Sequence, residues 1–395
     1  MKLLISIGYI DKNIFYPIAG GIFSIILKFT ITHSECNLPS NPLILALDSS
    51  LGMSLSIILL IIYKIKNSNI RNTNKKNNKI KKKNSSKITY ELEYTNVYDE
   101  IIYGKYKYIL LTSIVDFIQT ILGTFIYFDI KINMWVFDIL FLNLFSHCIF
   151  RNQLYRHHYI STILIIFIGI IIDIIAGYYI ISTENILKIL YKIIDEIMYC
   201  LIFVINKYTI EQKFSKSYEI CFFQGFFCSI LFSLLFLVLY LLNIYNPIQY
   251  FIDLNAKGWI IFFVVMIILF ILNILVLITI EKTNVYHVII IIIIAQLGYH
   301  LLDLLDSNDK IKSIIIIIGL CLILFMTLIF NEIIEINCCG LEKNTKKNIT
   351  LRARLDTPIN NNNNNEDNES SQNSEENDSN SLIQGRVTEI SEYKN

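Results

Sequence analysis

Between Tyr106 and Phe150 the chain reads as two apolar runs, YKYILLTSIVDFIQTILGTFIYF and INMWVFDILFLNLFSHCIF, parted by Asp129–Lys131. Each run is long enough to cross the roughly 30 Å of bilayer hydrocarbon as a helix, which takes about 20 residues. Each also carries an acid away from its ends, Asp116 in the first and Asp138 in the second. An ionised side chain at the bilayer centre costs about 2.5–3.5 kcal/mol on insertion scales, so it is rarely left to face lipid. The two runs therefore predict a helical hairpin whose acids look into a bundle interior or a water-filled path.

The same texture continues along the chain. Hydrophobic residues make up 54% and charged residues only 17%, and the charges gather between apolar runs, in a basic segment near 64–87 and in a polar tail after 336. That segregation predicts an all-α membrane protein and excludes a water-soluble core. Ten spans are expected: 14–31, 42–63, two within 106–150, 159–180, 186–208, 218–242, 258–280, 286–305 and 314–336. Residues 1–13, interrupted by Asp11 and Lys12, make a poor secretory signal and form a short cytoplasmic N-terminus. The connector 64–105 and the tail 337–395, which contains INNNNNNEDNESSQNSEENDSNS, are rich in Asn and charge and are expected to be disordered. Of eight cysteines only Cys36 falls in a non-cytoplasmic loop, so no disulfide framework is expected. Cys338 and Cys339 stand just past the last apolar run, either as palmitoylation sites or as unmodified interfacial thiols.

Orientation follows from Lys and Arg. Connectors after even-numbered spans hold 17 basic residues against 5 after odd-numbered spans, and the 64–105 connector alone supplies 11. The even side, and with it both termini, is expected to be cytoplasmic, and the basic start of the tail (Lys343, Lys346, Lys347, Arg352, Arg354) agrees.

Three short motifs accompany this topology. Span three contains Asp116-Phe-Ile-Gln-Thr120; span four ends in a basic turn, Arg151 to Arg156-His157-His158; and Lys207, Lys213 and Lys216 precede Gln224-Gly225-Phe226-Phe227. In these features the chain resembles the drug/metabolite transporter superfamily, in particular its solute carrier family 35-like sequences. The resemblance implies two inverted five-helix repeats, 14–180 and 186–336, with a solute site between them near the midplane. It also implies a membrane of the Golgi, endoplasmic reticulum or vacuole/lysosome in preference to the plasma membrane. The chain departs from those relatives where they place an arginine inside spans four and nine: the nearest residues here are Asp138 and Gln296. Lys28 and Lys192 sit nearer span ends, where they can snorkel. A nucleotide sugar needs Arg or Lys compensation in low dielectric, so an anionic cargo does not follow.

The candidate substrate or coupling residues are the polar groups inside the spans. Asp116, Gln119 and Thr120 fall with Gly123 at i, i+3, i+4 and i+7, as a cavity wall or an interhelical clamp. Asp138 lies on a different face from Asn143 and His147, about 140° and 180° around the helix. Asp173 sits between Gly169 and Gly177 on one face, as a packing contact or a site. Asp195, Tyr199 and Asn206 share a face of span six, with Glu196 turned to solvent or Lys192. Gln224 stands where relatives have an acid. Gln296, His300 and Asp303 form a stripe in span nine, as a proton relay or an interfacial cluster.

The leading reading is a secondary transporter of a small metabolite by alternating access, with proton or cation coupling. No GxxxxGK[ST] loop binds ATP, and no HExxH or hydrolase spacing provides catalytic residues or a metal, so neither an enzyme nor a cofactor is expected. A membrane-embedded enzyme and a non-transporting scaffold or receptor are the alternatives. Expected partners are the solute, the lipid bilayer and, for a homodimer, a second copy of the chain; nucleic acid is not expected. The orientation makes one firm prediction. Asn84, Asn348, Asn368 and Asn377 are formal glycosylation acceptors on the cytoplasmic side. The native protein should show no mobility shift on glycosidase treatment, and a glycan at Asn84 or Asn348 would overturn the orientation.

Overall fold

The computed structural model describes residues 5–7, 12–33, 42–66, 91–126, 134–151, 154–176, 183–306, 310–336 and 345. A helix covers each of the ten apolar runs. In order these are α1 (Phe15–His33), α2 (Pro42–Ser54, resuming after a turn and reaching Lys66), α3 (Glu91–Ile126), α4 (Asp138–Phe150, entered through a 3-10 turn), α5 (Arg156–Ala176), α6 (Thr183–Lys213) and α7 (Ser217–Leu241). A short surface helix α8 (Pro247–Asp253) follows, then α9 (Ala256–Lys282), α10 (Val288–Asp306) and α11 (Lys310–Phe330). Six are long and apolar enough to cross a membrane: α2 with its extension, α5, α7, α9, α10 and α11. The apolar stretches Phe15–Ile31 and Trp135–Phe150 are shorter. Their outward faces stay apolar, with Ile163, Phe167, Leu234, Ile260 and Ile318 all exposed. The chain is thus a helical, multi-pass membrane protein.

The helices pair as α3 with α6 and α7, α5 with α11, α2 with α7 and α9, α1 with α9 and α10, α10 with α11, and α4 with α6. Small residues set these seams, because without a hydrophobic drive between helices close backbone approach supplies the packing. Gly20 and Gly21 of α1 receive Ile291 and Ile294 of α10, Gly298 of α10 receives Ile25, and Gly319 of α11 receives Ile172 of α5. A Cβ on Gly52 would stand 2.7 Å from the Met266 carbonyl oxygen of α9.

Two features differ from expectation. First, α3 begins at Glu91, inside the connector expected to be disordered as far as residue 105. The reason is in the spacing: Tyr94, Val97, Tyr98, Ile101 and Ile102 fall at i, i+3, i+4, i+7 and i+8, an amphipathic helical pattern continuous with the apolar run. Residues 67–90 and the tail from 346 lie outside the described residues. Second, the last helix ends at Phe330, short of 336. Glu332 takes a left-handed backbone, φ 58°, and Ile334–Ile336 forms strand β2, antiparallel to β1 (Ile5–Ile7), with Ile5 opposite Ile336. Both strands alternate an apolar residue with a polar one, the period a strand uses. These helices and the ribbon belong to the unit Met1–Ile349; the second unit, Thr350–Asn395, is outside the described residues.

The seam where backbone comes closest to a glycine is between α7 and α2. A Cβ on Gly225 would stand 2.5 Å from Met53 Cβ, 2.6 Å from the Ser54 nitrogen and 2.7 Å from the Ser50 carbonyl oxygen. Two of those three neighbours are backbone and cannot rotate away. Gly225→Ala should therefore destabilise the protein by about 1–3 kcal/mol, seen as a lower melting temperature in detergent. An unchanged midpoint would mean that α2 and α7 separate freely.

Candidate functional site

A cavity of about 310 Å³ opens between α1, α2, α3, α6, α7, α9 and α10. Much of its lining is apolar, from Ile202, Phe203, Phe232, Leu272 and Val276 among others, and its polar groups are scattered over different helices. Ligand pockets usually have this mixture, in the range of about 300–1,000 Å³. α3 supplies Asp116 and Thr120, α6 supplies Tyr199 and Asn206, and α7 supplies Gln224 and Cys228. Ser49 and Ser50 come from α2, Asn273 from α9, and Gln296 and Tyr299 from α10. Among the described lining residues Asp116 is the one carboxylate, and there is no lysine, arginine or histidine.

The polar groups bridge helices. Gln224 Nε2 donates to Asp116 Oδ2 at 2.9 Å, and the Cys228 thiol donates to the same oxygen at 3.6 Å. Asn206 Nδ2 reaches Gln224 Oε1 at 3.5 Å, which ties α6 to this pair. Elsewhere in the lining Asn273 Nδ2 donates to Ser49 Oγ at 3.4 Å, and Tyr299 OH donates to the Ser24 carbonyl at 3.3 Å. Lys28 does not enter the cavity but sits 5.5 Å over the Tyr299 ring.

A second polar island lies one helical turn away, between α3, α4 and α6. Gln119 Nε2 donates to Asp195 Oδ1 at 2.7 Å, Lys192 Nζ donates to Asp195 Oδ2 at 2.7 Å, and Lys192 also pairs with Glu196 at 2.9 Å. Asp138, 2% exposed, has no hydrogen-bond partner for either oxygen among the described residues, and its carboxyl interacts with that of Glu196. Lys192 thus turns inward to an acid pair and does not snorkel outward.

These placements sort the candidates. Asp116, Thr120, Gln224 and Gln296 line the cavity. Gln119 does not, although it was expected on the Asp116 face. Positions i+3 and i+4 lie on opposite flanks of position i, about 100° apart, so Thr120 turns to the cavity while Gln119 turns to α6. Asp138 and Asp195 belong to the ion-pair island. Asp173 is buried at 2% against the α5 packing face, where Gly169 admits Val136, and is remote from the cavity lining. His300 is half-buried and outside the lining, and the Asp303 side chain is outside the described residues. Asn143 donates to Thr162 Oγ1 at 3.1 Å, away from Asp138 as the helical angles require.

Sequence reasoning passed over Ser49, Ser50, Asn273 and Tyr299. The available signal was weak but real in one case: Asn273 is the lone strongly polar residue in the apolar core of α9. It also read Lys207 as a loop-edge cation, whereas Lys207 is 7% exposed and caps the end of α9, donating to the Ile280 and Thr283 carbonyls at 2.8 and 3.0 Å. Comparison with models of known protein families and with curated protein sequences gave no match for this chain.

Lys192 is the keystone of the second island. Lys192→Met would strand two buried carboxylates, a defect that costs about 3–5 kcal/mol, and should appear as a marked fall in melting temperature. Asp195→Asn leaves Lys192 paired with Glu196 and should cost less. Equal melting of Lys192→Met and the parent would show the island is not structural.

Proposed function

We propose that the protein is a secondary transporter which carries a small neutral or cationic metabolite through the Asp116 cavity by alternating access. The observation that carries this reading is the cavity itself: a space between seven helices of a membrane protein, with one acid and no cation among its described lining residues. A transport cavity needs few, weakly held polar contacts, so that solute can enter and leave. An anionic solute would meet no compensating Lys or Arg there.

The ten-span, two-repeat architecture is part of the proposal. Its support is the pattern of helix pairs. Exchange α1–α5 with α6, α7, α9, α10 and α11 in order, and the α3–α6 pair becomes α9–α1, α1–α10 becomes α6–α4, and α2–α9 becomes α7–α3, while α2–α7 and α5–α11 map onto themselves. Such an exchange suits two repeated halves, although among the described residues the α10–α11 pair is not reproduced between α4 and α5. The β1–β2 ribbon brings residues 5–7 beside 334–336, which suits termini on one side, cytoplasmic by the basic-residue count.

The test is uptake into proteoliposomes of a panel of organic cations, amino acids and nucleotide sugars, with and without a pH gradient. Uptake should favour uncharged or cationic members and respond to the gradient. Asp116→Asn keeps shape and hydrogen bonding with Gln224 but removes the titratable group. It should fold and still bind solute, yet lose at least about tenfold of gradient-driven uptake, on the order of 1.4 kcal/mol of coupling. Thr120→Ala should change apparent affinity more than coupling. Uptake by Asp116→Asn with an unaltered pH profile would remove Asp116 from the coupling role.

A further inference from the structure

We propose that His157, His158 and Glu332 form a binding site for a first-row divalent metal ion of the zinc type, at the end of the helix pair α5–α11 and apart from the cavity. The two histidines open α5, and Glu332 follows α11 in the turn before β2. One ligand atom from each residue lies within 4.8 Å of the other two. The 174 positions between His158 and Glu332 explain why no spacing motif announces the site.

The geometry of the tightest pair is that of two ligands and not of a hydrogen bond. His157 Nε2 stands 3.2 Å from Glu332 Oε1, but neither nitrogen of His157 makes a hydrogen bond among the described residues, although the ring is only 5% exposed. A buried imidazole with both nitrogens unpaired is costly unless something claims one of them. Two ligand atoms each about 2.0–2.2 Å from a tetrahedral ion stand roughly 3.3–3.5 Å apart. The 3.2 Å contact fits that separation closely.

The surroundings hold the ligands in place. The two imidazoles lie 4.0 Å apart between ring centroids, with Phe330 edge-on to His158 at 4.8 Å and Tyr155 stacked on His157 at 6.1 Å. These rings keep water away and strengthen ion–ligand attraction. Glu332 is held by its left-handed backbone, φ 58°, a conformation that costs a non-glycine residue about 1–2 kcal/mol. The Ile333 amide donates to the Leu328 carbonyl at 2.9 Å, and the β1–β2 ribbon fixes the chain directly after. His158 Nδ1 accepts the Tyr155 backbone N–H at 3.2 Å. On metal loading His158 gives up that bond or moves its proton, so it is the ligand recruited last. Two imidazoles and one carboxylate select zinc-type ions over calcium or magnesium, which prefer all-oxygen shells.

The full chain, purified in detergent with Cys338→Ser and Cys339→Ser to remove two thiols that follow Glu332 in sequence, should be titrated calorimetrically with Zn²⁺ alone and then with Ca²⁺. One equivalent of Zn²⁺ should bind and raise the melting temperature, and Ca²⁺ should not. His157→Gln and Glu332→Gln should each weaken Zn²⁺ binding by more than about 100-fold while keeping the helical circular dichroism of the parent. His147→Gln, which is outside the cluster, should bind as the parent does. No Zn²⁺ binding, or equal binding by folded Glu332→Gln, would overturn the site. Unchanged binding by His158→Gln would overturn its assignment as third ligand.

Discussion

Every backbone amide and carbonyl inside a bilayer must find its partner within its own helix, because hydrocarbon offers none. This constraint shapes the molecule. It makes each apolar run a helix, leaves isoleucine and phenylalanine on the outward faces, and turns every polar side chain into a question of where it can point. It also removes the ordinary hydrophobic drive for helices to associate. Association then depends on close fit, which is why Gly20, Gly21, Gly52, Gly225, Gly298 and Gly319 all lie where a neighbouring helix approaches within reach of a missing Cβ. Interhelical hydrogen bonds such as Asn143–Thr162 add only about 0.6 kcal/mol each on average. They select register more than they supply stability.

The polar residues gather in two islands, and their charge balance differs. At Asp195 and Glu196 a lysine, Lys192, lies within 3 Å of each acid, so a cation offsets part of the acidic charge inside the protein. Asp116 is answered by neutral donors, Gln224 and Cys228. A carboxylate satisfied by amide and thiol retains an uncompensated charge, and a charged guest or a proton can supply what the protein omits. α3 and α6 contribute to both islands, through Asp116 and Gln119 on one helix and Asn206 and Asp195 on the other. The Asp116 and Gln119–Asp195 contacts thus join the same two helices.

How much of this the chain discloses by itself depends on cost. Asp116 was legible because an acid in an apolar run is expensive, and expense narrows the explanations. Ser49, Ser50 and Asn273 were not, because a hydroxyl or amide in a helix is cheap and bonds back to its own backbone, as Ser50 does to Leu47. The division of Gln119 from Thr120 required knowing which neighbour sits on which flank, a tertiary fact. The helix from Glu91 was readable in principle from its i, i+3, i+4 spacing, but lysine and asparagine upstream concealed where it starts. Glu332 beside His157 could not be read at all, since nothing along the chain links residues so far apart.

On the proposed exchange of halves, the pairing of helices would give the cavity a direction. Under the exchange of halves, the α3–α7 bridge Asp116–Gln224 maps onto a bridge between α9 and α2, and such a bridge is present: Asn273 to Ser49. Both belong to the lining of one cavity. One is an amide held to a carboxylate at 2.9 Å; the other is an amide held to a hydroxyl at 3.4 Å. Charge-assisted hydrogen bonds are roughly twice as strong as neutral ones. Helices related by such an exchange would close with equal ease if their bridges were alike. Under the proposed repeats, Asp116 would be the residue that breaks the symmetry: its carboxyl group faces Gln224 on one side, where the corresponding bridge has only a hydroxyl and an amide.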